Sequence, residues 1–131
     1  MNIFTYIAKI YAGRLNRSYY ILGQVITIAT FLGLSVVVSA FSASGEVTRS
    51  LVGVAFFLLV GVAYMVFIFS LHVRRIHDLN HAGWLAIVCL VPGINIIPYL
   101  YLIFAPGDPK PNQYGERPPK NAKLLDVILK R

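Results

Sequence analysis

Three stretches of this chain contain no Asp, Glu, Lys or Arg: residues 18–45, 50–73 and 79–107, which hold 28, 24 and 29 residues. A helix that crosses a bilayer needs roughly 20 apolar residues. Three such stretches within 131 residues point to an integral membrane protein. Charged residues are 13 % of the chain, about half the share in a soluble domain. Mean hydropathy is +0.69. The expected fold class is an all-α polytopic membrane protein, a single membrane domain over residues 1–131.

A net charge of +7 on a soluble protein would suggest nucleic acid. Here the basic residues flank the apolar blocks, where anionic headgroups lie. Membrane lipids are therefore the expected partner, and nucleic acid is not. The single Cys89 sits inside an apolar block and implies neither a disulfide framework nor a metal cluster. The first apolar run is longer than the 7–15 residues of a signal-peptide core. It reads as an uncleaved anchor.

Residues 1–18 form an interfacial leader. Ile3, Phe4, Ile7, Ile10 and Tyr11 share one helical face, as in an amphipathic helix lying among headgroups or packed on the protein's own cytoplasmic side. Gly13 ends that helix. Arg14 and Arg17 follow, then Tyr19 and Tyr20, which read as interface anchors. The first span is expected over residues 19–41 and the second over residues 51–73. Gly53 and Gly61 in the second would permit close helix approach.

The third block, residues 84–104, is interrupted by Pro92 and Gly93. Proline removes a backbone donor and clashes with the preceding turn. The expected pieces are Trp84–Val91 and Ile94–Phe104, roughly 12 and 16 Å long as α-helix. Each is about half of a ~30 Å hydrocarbon core. The block is thus either one kinked span or a re-entrant hairpin. Lys9, Arg14, Arg17, Arg74 and Arg75 mark the cytoplasmic side, with Arg49 opposite. Counting the proximal tail only, with Lys110, Arg117 and Lys120, the division is five to four if the block spans once and eight to one if it re-enters. The positive-inside rule favours the hairpin and a cytoplasmic, Pro/Gly-rich tail over residues 105–131.

The most polar stretch is "LHVRRIHDLNHAGW", residues 71–84. "HDLNH" resembles the zinc motif H-E-x-x-H, with His72 as a third candidate ligand. Asp reaches less far than Glu, however, and Asn80 and Gly83 are residues that accept a left-handed helix cap. A helix ending near residue 79 separates His77 from His81, so no metal is expected. Two readings of the charges remain. Arg14, Arg17, Arg74 and Arg75 could cradle a phosphate headgroup. Alternatively, Asp78 pairs with an arginine and fixes the fold, His77 caps the second span, and Trp84 anchors the next helix at the interface. No nucleophile, acidic pair or phosphate-binding glycine loop stands out.

"GRLNRSYY", "RRIHDLNHAGW", the block broken at Pro-Gly and "PGDPKPNQYG" together resemble the DUF805 family of small bacterial inner-membrane proteins. That family shows G-R-x-x-R-x-x-Y-W, then R-R-L-H-D-x-G-x-S-G-W-W, then P-G-x-x-G-x-N-x-Y-G. Departures are Tyr20 for Trp, Asn80 for Gly, Ala82 for Ser and Leu85 for Trp. His81 falls on a variable position. The resemblance implies a bacterial cytoplasmic membrane location and leaves activity open.

The expectation is a multi-pass protein with a cytoplasmic N-terminus, without enzyme activity or cofactor. Arg14, Arg17, Arg74, Arg75, His77, Asp78 and Tyr114 would form one cytoplasmic-face cluster. It would serve a lipid-binding or accessory subunit, alone, as a homo-oligomer or with a membrane-protein partner. The alternative is a small transporter or channel component lined by the broken block.

Overall fold

The computed structural model describes residues 2, 10–43 and 47–119. Every regular element among them is helical: α1 (Arg17–Ser42), α2 (Val47–Asp78), a 3-10 helix (Gly83–Leu90) and α3 (Ile96–Phe104). Of the leader helix, Ile10 and Tyr11 are helical and residues 3–9 lie outside the described residues. Gly13, at φ 84°, follows them. The tail beyond residue 119 and the loop at residues 44–46 are also outside the described residues.

α1 starts where Asn16 accepts the Tyr19 N–H on its side-chain oxygen at 3.0 Å. That is the N-cap geometry, which satisfies one of the orphan donors of a first turn. The hydroxyls of Thr30, Ser35 and Ser39 donate to the carbonyls of Ile26, Leu32 and Val36 at 2.7–2.9 Å. These three hydroxyls thus return to the helix's own backbone and need no water. Arg17–Phe41 and Leu51–Asp78 are long and apolar enough to cross a membrane. Only 11 % of each candidate window is buried, unlike the core helix of a soluble protein.

The chain divides into two compact units. Unit 2, Gln24–Ile68, is built from the parts of α1 and α2 whose side chains are mostly exposed and apolar. Phe31 packs against Phe57 and Tyr64, at ring-centroid distances of 5.4 and 4.6 Å. At Gly61, expected to allow close approach, an added Cβ would meet no neighbouring element within 4 Å. The contact at this level is aromatic, and rings of that size reach across a wider gap.

Unit 1 contains residues up to 23 and from 69 onward. Its core is Leu15, Tyr20, Leu71, Val73, Ile76, Leu79, Ala86, Cys89 and Leu102. The tight glycine approach is here: a Cβ on Gly23 would meet Leu71 at 3.1 Å. Every residue from Ser70 to Leu79 is buried, including all the charged ones. α2 therefore changes character along its length, from an exposed apolar rod to the centre of unit 1.

α2 ends in a Schellman cap. Asn80 takes φ 59°, its N–H donates to the His77 carbonyl, and the His81 N–H donates to Ile76, at 3.0 and 3.1 Å. This left-handed turn is the one that Asn tolerates and β-branched residues resist. The broken block then departs from expectation in detail. Its first piece is 3-10, not α, and covers Gly83–Leu90; its second begins at Ile96. Residues 91–95 make the turn, with Gly93 at φ 92°. Pro98 sits in the first turn of α3, where its missing N–H costs nothing.

Both ends of this block meet the last turn of α2. A Cβ on Gly83 would lie 2.7 Å from the His77 ring. At the other end, the Asp108 N–H donates to the Asp78 carbonyl at 2.8 Å. Residues 83–104 therefore leave the end of α2 and return to it. Asn80→Val is expected to cost about 1–2 kcal/mol by forcing a β-branched residue into the left-handed region, while Asn80→Gly holds stability. Thermal unfolding in detergent micelles checks both.

Candidate functional site

The polar centre of unit 1 is one carboxylate held by two arginines. Asp78 is the last residue of α2, where the helix dipole presents its negative end. An aspartate there is unfavourable alone. Arg75, one turn earlier, places Nη1 2.5 Å from Asp78 Oδ2. Arg14, from the segment before α1, donates from Nε to Asp78 Oδ1 at 3.1 Å, and its Nη2 is ion-paired with the same oxygen at 3.0 Å. Both guanidiniums and the carboxylate are at most 2 % exposed.

The remaining arginine donors go to backbone. Arg75 Nε donates to the Leu102 carbonyl at 2.9 Å and Nη2 to Ala105 at 2.5 Å. These are carbonyls that the C-terminus of α3 leaves without helical partners, so Arg75 caps α3 as well as pairing with Asp78. Arg14 Nη1 donates to Lys110 at 2.7 Å and to Gly115 at 3.3 Å, and Nη2 to Asp108 at 2.5 Å. Two cations, one anion and five carbonyl oxygens make a closed network. The trio carries a net +1, and the carbonyl dipoles offset it.

The tail wraps onto this centre by sequence-local means. Asp108 Oδ1 accepts the Lys110 N–H, and Asn112 Oδ1 accepts the Tyr114 N–H, both at 3.0 Å. These are Asx turns. Asn112 and Gly115 exchange backbone hydrogen bonds, with Gly115 at φ 119°. Asn112 Nδ2 also donates to the His77 carbonyl at 2.9 Å. The turn stacks Tyr114 on His77, centroids 3.8 Å apart and planes 8° from parallel. His77 Nδ1 faces the Gly13 carbonyl at 3.2 Å, so that nitrogen carries the hydrogen. Gly107 must be glycine for space, because a Cβ there would collide with the Asp78 carboxylate.

Of the seven residues expected to cluster, Arg14, Arg75, His77, Asp78 and Tyr114 come together. Arg17 is exposed and supplies none of the clamp's hydrogen bonds. Arg74 is buried and contributes its carbonyl, which accepts the Leu15 N–H at 3.0 Å. Neither joins a shared phosphate cradle with Arg14 and Arg75, whose donors already have partners within the chain. Of the three expected interface anchors, Trp84 is 64 % exposed, Tyr19 is half-buried and Tyr20 is fully buried. Tyr20 packs edge-on against His72, which packs edge-on against Tyr99. Core packing in unit 1 takes Tyr20 away from an interfacial role.

The three histidines thus go to separate tyrosines: His72 to Tyr20 and Tyr99, His77 to Tyr114, and His81 near Tyr101 at 6.1 Å. Among the described residues, no three His, Cys, Asp or Glu side chains are grouped as a metal would require. The residues that the sequence did not mark act mostly through carbonyl oxygens that accept hydrogen bonds: Leu102, Ala105, Asp108, Lys110 and Gly115 from the arginines, and Gly13 from His77. Backbone oxygens leave no mark on residue identity. The signal available was the "PGDPKPNQYG" motif, whose Asx and glycine residues set the turns.

A family model described as a protein of unknown function, DUF805, matches residues 10–116. The chain belongs to the DUF805 family. The DUF805 match includes every residue of the Arg14–Asp78–Arg75 network and its carbonyl partners. Comparison with curated proteins and with solved structures gives no match.

Removing one partner of a buried ion pair leaves an uncompensated charge and costs about 3–5 kcal/mol. Asp78→Ala and Arg75→Met are each expected to lower stability on that scale. Arg75→Lys is expected to rescue little, because an ammonium cannot present the planar fork that reaches Asp78, Leu102 and Ala105 together. Gly107→Ala is expected to be destabilising by displacing Asp78. Unfolding of the four variants in one micelle system checks the order.

Proposed function

We propose that this chain is a multi-pass protein of the bacterial cytoplasmic membrane, acting without catalysis as a lipid-contacting accessory or structural subunit. The supporting observation is the return of residues 83–104 to Asp78. At 2.0 Å per residue for 3-10 and 1.5 Å for α-helix, the two arms are roughly 16 and 14 Å long. Neither crosses a ~30 Å core. Both carry outward apolar side chains, among them Trp84, Ile87, Ile97 and Phe104 at 55–73 % exposure. The block is a re-entrant hairpin in this reading. The N-terminal segment, the clamp and the tail share the cytoplasmic side, as the eight-to-one distribution of basic residues favours.

The role follows from how the polar groups are used. A carboxylate bonded to two guanidiniums on both oxygens is a tie, not a poised acid or base. The clamp holds a platform at the membrane surface. Contact with anionic headgroups then falls to the exposed cations Arg17, Lys110 and Arg117, each worth about 1 kcal/mol near such a surface. The inner wall of the hairpin is apolar, which speaks against a polar transport path.

A C-terminal reporter active only in the cytoplasm is expected to be active on the full chain. Activity only outside rejects the hairpin. Replacing Arg17, Lys110 and Arg117 with Gln is expected to reduce co-purifying anionic lipid, read by mass spectrometry, without changing the melting temperature. Unchanged lipid retention rejects the headgroup role. Ion or solute flux through liposomes holding the protein would reject the accessory reading in favour of a transporter.

A further inference from the structure

The two arms of the broken block form a half-open pocket of about 170 Å³ against the end of α2. Its wall is made by Leu79, Leu85, Val88, Cys89 and Leu102. The polar side chains on it are His81 and Tyr101, both exposed and therefore at the rim. A water inside needs two to four polar partners, and this wall offers none in its depth. An apolar cavity of about 150 Å³ stays dry and takes a six-carbon ring. The space here is the size of a short run of chain carbons.

The occupant must be apolar at one end and polar at the other. The pit accepts carbon; at the rim, the Tyr101 hydroxyl can donate to an ester or phosphate oxygen, and His81 adds an imidazole. His81 is held in place, with Nδ1 2.6 Å from the Leu79 carbonyl, so Nε2 is the nitrogen left for a ligand. Trp84 and Leu90 on one arm and Ile97 and Leu100 on the other are at least half exposed. The medium that meets such a surface is itself hydrocarbon. We propose that this pocket seats the end of one acyl chain of a membrane phospholipid, whose headgroup side rests at His81 and Tyr101. The bound tail completes the packing between the arms, which would otherwise lose dispersion contacts across an empty space. This assignment rests on the membrane reading above.

The test uses the full chain in vesicles of phosphatidylethanolamine and phosphatidylglycerol, with a phosphatidylglycerol carrying a diazirine at the end of one acyl chain. After irradiation, adducts are mapped by mass spectrometry. Labels are expected on Leu85, Cys89 and Leu102 as well as on outward residues such as Trp84 and Ile97. Val88→Phe fills the pit and is expected to abolish the inner labels while the outer ones persist. Cys89→Met, whose flexible side chain fills gaps with less strain, serves the same purpose if Val88→Phe does not fold. Labels on outward residues alone overturn the acyl seat and leave the membrane reading standing. A folded protein with no label at any residue overturns both. Inner labels that survive in a folded, filled variant overturn the seat as drawn.

Discussion

Asp78 is bonded on one oxygen by Arg14 and on the other by Arg75, with all three side chains out of contact with solvent. The rest of unit 1 depends on this arrangement. Arg14 brings in the segment before α1 and three carbonyls of the tail; Arg75 brings in the end of α3. A buried carboxylate is costly unless its charge is paired and its lone pairs are satisfied. The same requirement makes the network specific: only one path of the chain delivers five carbonyls and two guanidiniums to one place. Where the surroundings are as apolar as the side chains, hydrophobic burial discriminates poorly between helix arrangements. Directional polar contacts then carry the choice of topology.

The histidines show how local geometry redistributed a motif that looked like one site. Asn80 in the left-handed region ends α2 between His77 and His81. His77 then stacks on Tyr114, His81 stands near Tyr101, and His72 is enclosed by Tyr20 and Tyr99. On α2, His72 packs against Tyr20 of α1 and Tyr99 of α3, and His77 stacks on Tyr114 of the tail, so these histidines join α1, α3 and the tail to α2. The arginines divided in a similar way. Two became internal ties, Arg17 stayed exposed, and Arg74 was buried with its carbonyl serving Leu15.

The broken block has a consistent physical logic. A proline and a glycine at its midpoint end the first arm, and ties at both ends bring it back to α2. The arms are short, their outer faces are apolar, and their inner faces leave a space lined with carbon. A surface of this kind is stable only against hydrocarbon or a covering partner. The two helices that are long and apolar enough to cross a membrane present surfaces of the same kind.

Composition and pattern alone determined the helical class, two long apolar helices, the break at Pro92 and Gly93 and the cap at Asn80. These are properties of contiguous residues: length without charge, a missing N–H, tolerance of positive φ. They are readable because each is set within a few residues along the chain. Only the tertiary structure decided which arginines pair with Asp78, that Tyr20 is core, that Gly107 makes room for a carboxylate, and that the tail closes over His77. Most of those outcomes rest on contacts between residues distant along the chain, up to 101 residues apart for Arg14 and Gly115, and largely on backbone carbonyls, which every residue possesses. Partner choice among identical acceptors is a matter of where the chain returns, and no local pattern encodes it.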